Sequence, residues 1–207
     1  MATGTVSRAP IRSAVSANDV WAAGRAHFTN IVLHWNGTAW RRVDVPPLAF
    51  DPPGEPRLRS YIRGVVALSK DDVWIAAMGH QPDRGSAPYL VHWDGRTWTG
   101  ARVPLPPNAG VEINDFGGNR SSRLWAVGYG QGEGAVMQPA IYHLDGGSWK
   151  IAASPSIPQA PRYMDDFRMN ELVAVSAART GEIWAVGKHF TAANPELPLV
   201  ERYCPSG

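Results

Sequence analysis

A single cysteine, Cys204, stands among 207 residues. No intrachain disulfide can form, so cysteine usage leaves the compartment open. No apolar run approaches the roughly 20 residues that a membrane-spanning helix needs, and no membrane partner is expected. The opening Met1-Ala2-Thr3-Gly4-Thr5 lacks the basic and apolar regions of a signal peptide. The expected location is the cytoplasm, or outside the cell after removal of a leader. Excess charge of one sign is also missing: 20 Lys+Arg oppose 18 Asp+Glu, a net charge of +2. A dedicated nucleic-acid binder carries a basic stripe, so no nucleic-acid partner is expected. No amphipathic helix of useful length is evident. A nucleotide-binding glycine loop, a zinc motif and a nucleophile elbow are all absent. No cofactor is expected, and no residue is assigned to a metal site.

What the chain does have is 21 glycines, 18 prolines and nine tryptophans. Abundant turn residues with few charges suit short strands in an all-β fold. The tryptophans reveal a repeat of about fifty residues. Trp21, Trp74, Trp125 and Trp184 each sit in a short apolar run that leads to Gly24, Gly79, Gly128 or Gly187. A second motif follows in three copies: His34-Trp35-Asn36-Gly37-Thr38-Ala39-Trp40, His92-Trp93-Asp94-Gly95-Arg96-Thr97-Trp98 and His143-Leu144-Asp145-Gly146-Gly147-Ser148-Trp149. Pro46, Pro104 and Pro155 each lie six residues past the last Trp. In the second copy the pattern predicts strands over 64–68, 73–78, 89–93 and 97–103. Asn-Gly and Asp-Gly supply the positive φ that tight hairpins require.

Four antiparallel strands at this period predict a propeller blade. The expectation is one domain over residues 1–207, a four-bladed β-propeller. Its blades span about 11–46, 62–104, 111–155 and 171–207 plus 1–10. The last copy lacks a fourth strand. Residues 4–9, with Pro10 in the place of Pro46, are expected to supply it and close the last blade, which removes an open edge. A larger ring shared between two chains is the alternative, and the expected state is monomer or homodimer.

With Trp93-Asp94, Trp98, Trp35 and Trp40 in place, the pattern resembles kelch-type repeats and bacterial galactose-oxidase-like propellers. A single glycine replaces that family's usual pair. The copper ligands and crosslinked Tyr-Cys of galactose oxidase have no counterpart, so the resemblance implies the fold and not that activity.

The recurring residues read as scaffold. The tryptophans are expected to fill the wedge between blades. His34, His92 and His143 share one position, which Arg202 takes in the last copy. Asp19, Asp72, Asp94 and Asp145 read as turn residues. Function is sought where the copies differ. The unequal connections 45–61, 104–111 and 155–170, and the loops 25–30, 80–87, 129–138 and 188–198, are expected to gather on one face. Asymmetry predicts one site per chain, where a propeller lectin would repeat its binding residues in each blade. His27, His80 and His189 follow the glycines and are expected to point to one rim. Aligning the innermost strands puts Glu112 and Glu171 together, opposite Ile11 and Gly64 of the other copies. It puts Asp115 where Ala14, Ala67 and Ala174 stand.

The expected function is recognition of a polar small molecule or a sugar-like ligand. Tyr61, Tyr129 and Tyr163 would stack on it. Arg57, Arg59, Arg162 and Arg168, with Asp165, would hold its polar groups. Asp115, Glu112, His80 and His189 are the deepest candidates. In an enzyme they would serve as acid and base for a lyase, isomerase or cyclase. Carboxylates at a channel mouth would also suit a structural divalent cation. A third expectation is a protein-interaction propeller, with Pro47, Leu48 and Phe50 as the apolar patch.

Overall fold

The computed structural model describes residues 11–26, 29–45, 60–81, 85–102, 111–120, 123–131, 137–145, 148–152, 154, 157, 170–178, 180–190 and 196–204. The chain divides into two compact units, Met1–Val103 and Pro104–Gly207. The expected closing strand at residues 4–9 lies outside the described residues.

The first unit carries two four-stranded antiparallel sheets. One joins β1 (Ile11–Ser16), β2 (Asp19–Ala26), β3 (Thr29–Trp35) and β4 (Trp40–Val43) in chain order. The other joins β5 (Ser60–Ser69), β6 (Asp72–Gln81), β7 (Gly85–Trp93) and β8 (Trp98–Arg102). The second unit repeats the pattern. There β9 (Val111–Arg120), β10 (Arg123–Gln131), β11 (Met137–Asp145) and β12 (Ser148–Ala152) form a four-stranded sheet. The last sheet joins β13 (Glu171–Ala177), β14 (Ile183–His189) and β15 (Leu197–Tyr203), three strands among the described residues. The chain is thus all-β, in four successive meanders.

Period-two alternation makes these strands two-faced. On β6, Val73, Ile75 and Ala77 point to one side and are essentially inaccessible. They pack with Val65 and Val91 against Trp21, Ala23 and Val32 of the first sheet. In the second unit, Val127 and Ile141 meet Leu172 and Ala185 of the next sheet. Each such aliphatic side chain contributes about 1.5–3 kcal/mol on burial. The hairpin turns follow the sequence: Gly37 and Gly95 both take φ 89°.

The strands run further than the sequence predicts. Pairing of β6 with β7 continues to Gln81 and Gly85, and that of β10 with β11 to Gln131 and Met137. His80 and His189 are therefore strand residues and not loop residues. Alternation then sends Lys188 and His189 to opposite faces of β14.

The repeated histidines are structural. The Nε2–H of His34 donates to Asp19 and that of His92 to Asp72, each at 2.9 Å. Each imidazole stacks on the preceding Trp, at 4.4 Å on Trp21 and 4.0 Å on Trp74. The last sheet keeps the arrangement with other residues. Arg202 pairs with Glu182 at 2.7 Å and lies 5.5 Å from the Trp184 ring. Asp19 and Asp72 are thus more than turn residues: each accepts from its histidine across the hairpin.

The tryptophans do not all fill an interior. Trp21 and Trp149 are buried, whereas Trp40 is 49% and Trp184 42% exposed. Trp184 stands on the face of β13–β15 opposite Ile183 and Ala185, which are buried.

Candidate functional site

The first strand of three sheets carries a β-bulge at one place. Arg63, Asn114 and Val173 are the extra residues, between the paired positions 62/64, 113/115 and 172/174. A bulge re-aims the residues around it. In the second unit it presses the strand onto its neighbour. A Cβ on Gly128 would lie 1.9 Å from the Glu112 carbonyl oxygen, and one on Gly187 1.9 Å from that of Glu171. Only glycine fits at these two positions.

The bulges also set the register. Glu112 stands opposite Tyr129, and Glu171 opposite Lys188, each four residues past the strand's Trp. The two glutamates share a position, as the sequence predicts. Asp115 and Ala174 also share a position, as expected, but in the second copy Tyr61, opposite Met78, stands with the glutamates in place of Gly64. Ile11 and Gly64, opposite Ala23 and Ala76, match Asp115 and Ala174. An ungapped count gives this register: Tyr61, Glu112 and Glu171 each precede their blade's Trp by 13 residues, and Ile11, Gly64, Asp115 and Ala174 by 10, so the expected alignment departed from the spacing.

At this strand end of the second unit a polar cluster forms. Asn114 donates from Nδ2 to Glu171 Oε2 at 2.8 Å and to the Leu172 carbonyl at 2.9 Å. Lys188 Nζ lies 3.6 Å from Glu171 Oε1 and 3.9 Å from Glu196 Oε2. It also stands 5.7 Å from the Phe190 ring. The Glu171 side chain is only 12% exposed, against 60% for Glu196. The carboxylate is thus fixed from two sides, while the lysine and the outer glutamate reach solvent. Asn170, itself buried, accepts the Phe190 N–H at 2.9 Å.

Asp115 does a different job. Its carboxylate accepts the Val175 N–H at 2.9 Å and so ties β9 to β13. Burial pushes its pKa above the usual carboxylate range, against the lowering effect of the Val175 and Phe116 N–H groups. His189 places Nδ1 in the interior with no hydrogen-bond partner among the described residues. In the first unit the Arg63 guanidinium lies 4.4 Å over the Tyr61 ring. His80 is described through its backbone alone, opposite Ser86. Arg57, Arg59, Arg162, Tyr163, Asp165 and Arg168 lie outside the described residues, as do His27, Pro47, Leu48 and Phe50.

Sequence reasoning missed Asn114, Lys188 and Glu196. Asn114 sits between two expected residues, but only the bulge aims it at Glu171. Also missed was Glu201. This buried carboxylate accepts from Ser154 Oγ at 2.8 Å and Tyr203 OH at 2.9 Å. Burial and the adjacent Glu201 push the Tyr203 phenol well up. This contact ties the chain just past β12 to β15. Among the described residues no three or more His, Cys, Asp or Glu side chains converge as a metal site.

No family model matches the chain, and no curated protein matches it. Solved structures do. The chain is similar to YCF48 bound to D1 peptide, with 13% identity, a TM-score of 0.54 and 99% of this chain covered. It spans 54% of that protein's length. It is also similar to the GH43 endo-arabinanase from Bacillus licheniformis, with 15% identity and a TM-score of 0.51. That match covers 94% of this chain and 70% of the enzyme. Together with the four antiparallel meanders, these likenesses show a β-propeller fold of four blades.

Proposed function

We propose that the end of β9, β13 and β14 recognises one polar, hydroxyl-rich small molecule, sugar-like in chemistry. The observation that carries this is Glu171, a nearly buried carboxylate held ready by Asn114 and Lys188. A fixed carboxylate beside an amide and an ammonium offers acceptors and donors at the spacing of neighbouring hydroxyls, and orienting them beforehand lowers the cost of binding. Phe190 and Tyr129 supply aromatic surface at the same strand end. Blades one and two lack the carboxylate at this position, and in blade three Glu112 stands opposite Tyr129 instead of a lysine, which supports one site per chain. The likeness to an endo-arabinanase supports pentose oligosaccharides as the first probes.

The test is calorimetric titration of the protein with arabino-oligosaccharides, monosaccharides and organic acids, repeated with Glu171→Gln. One ligand per chain is expected. The variant should lose at least about tenfold in affinity, or ~1.4 kcal/mol, with an unchanged melting curve. Equal affinity in a folded Glu171→Gln variant removes the site. Several ligands per chain restore the lectin reading.

A peptide partner is the second reading. It is supported by the exposed apolar side chains Trp184, Val186 and Val200 on β14 and β15 and by the peptide-bound propeller above. The acid/base enzyme reading keeps Glu112 and His189, which a turnover assay on the identified ligand would test.

A further inference from the structure

We propose that Asn36–Gly37 is a site of intramolecular deamidation, promoted by the folded β3–β4 turn, whose aspartyl product the next blade already carries as Asp94. The Gly37 nitrogen attacks Asn36 Cγ. The new N–Cγ bond closes a five-membered imide, the amide proton passes to solvent, and the Cγ–Nδ2 bond breaks to release ammonia. Water then opens the imide. Attack at the side-chain carbonyl gives aspartate, and attack at the main-chain carbonyl gives isoaspartate. The balance is amide plus water to acid plus ammonia.

Three features of the turn favour this chemistry. First, Asn36 Oδ1 accepts from Thr38 N at 3.1 Å, Thr38 Oγ1 at 2.8 Å and Ala39 N at 3.0 Å. The two backbone donors identify this atom as the oxygen. All three donors stand where negative charge grows as the nitrogen adds, and preorganised donors stabilise such a charge. Second, Nδ2 has no acceptor among the described residues, and Asn36 is exposed, so the leaving group is free. Third, the nucleophile belongs to a glycine, held at φ 89°, with no side chain to shield it.

The product fits because the fold contains it. In the second sheet, Asp94 Oδ1 accepts from Arg96 N at 2.8 Å and Thr97 N at 2.7 Å, and Oδ2 accepts from Thr97 Oγ1 at 3.2 Å. The two backbone bonds are those of the first turn, and the hydroxyl bond comes from the residue one place further on, to the second carboxylate oxygen. The Thr97 and Arg96 N–H groups hold the Asp94 carboxyl below its usual range, so the product is charged at neutral pH. An isoaspartate is different. It adds a main-chain atom between residues 36 and 37, which opposes the Asn36 N–H to Ala39 carbonyl bond and the Trp35–Trp40 pair.

The experiment incubates folded protein at mildly alkaline pH beside a urea-unfolded control. Peptide mapping by mass spectrometry, with isoaspartate resolved, reads every asparagine. Residue 36 should convert in the folded chain at least as fast as in the unfolded chain, with aspartate the main folded product. Thr38→Val should slow conversion about fivefold, the rate equivalent of one ordinary hydrogen bond. Asn36→Asp should keep the parent melting temperature. Slower conversion in the folded chain, an unchanged rate in Thr38→Val, or a destabilised Asn36→Asp would each overturn the proposal.

Discussion

Replacing Asp115 by asparagine should make the protein more stable at neutral pH. The carboxylate accepts the Val175 N–H, and an asparagine Oδ1 can accept the same bond. What the substitution removes is a charge that burial disfavours. The sign follows from linkage. A carboxyl whose folded pKa is raised binds its proton more tightly in the folded state. Its contribution is therefore fully present below the unfolded pKa and is lost as pH rises through the folded value. Each unit of such a shift is worth about 1.4 kcal/mol. Near pH 4, at about the unfolded pKa, the parent and Asp115→Asn should differ by less than about 1 kcal/mol, a neutral amide replacing a largely neutral acid. Between about pH 4 and pH 7 the parent should lose stability relative to the variant. Asp115→Ala supplies the scale, because it leaves a part-buried N–H without its acceptor, at a cost of about 1 kcal/mol at either pH. Urea denaturation of the three proteins at both pH values measures this. If the parent gains on Asp115→Asn as pH rises, the carboxylate is stabilised by a cation, and the desolvation argument fails.

Three further outcomes follow from packing and pairing. Gly128→Ala places a methyl group against the Glu112 backbone, and melting should show a loss of about 3 kcal/mol or more. Leu172→Ala empties a fully buried contact between the two sheets of the second unit. Chemical denaturation should report about 2–5 kcal/mol. The Arg202–Glu182 pair should behave as a copy of the His–Asp pairs. Arg202→His and Glu182→Asp should each cost up to about 1 kcal/mol, and the double variant should recover most of the loss in a double-mutant cycle.

The scaffold was legible in the sequence because its determinants are local. A tight hairpin needs a positive φ, so Asn36-Gly37 and Asp94-Gly95 announce their turns. A strand with one buried face must alternate, so Val73, Ile75 and Ala77 announce β6. A repeated unit solves the same packing problem in each copy. Arg202 could therefore be recognised as the substitute for His34, His92 and His143 before its partner Glu182 was seen. Another repeated signal went unread: Pro88, Pro139 and Pro198 each stand opposite the residue four past the strand's Trp. In the second and third sheets the fourth strand's last pairs, Tyr89–Arg102 and Ile141–Ala152, stop short of that proline. There a missing N–H costs nothing.

The candidate site was only half legible. Glu112 and Glu171 stood out as carboxylates at the start of innermost strands, and their shared position could be found by counting. Asn114, Lys188 and Glu196 could not be joined to Glu171 in that way. Their meeting depends on a bulge that inserts one residue, on the parity of β14 that turns Lys188 one way and His189 the other, and on the contact between two sheets. Asp115 illustrates the same limit. Its sequence position suggested one of the deepest acids of a ligand pocket, whereas its neighbour across the sheet contact made it a half-buried acceptor for a backbone N–H. Composition and period determined that this chain builds four small antiparallel sheets. Which polar groups share a space was decided by tertiary packing, because a one-residue shift in a strand exchanges its faces.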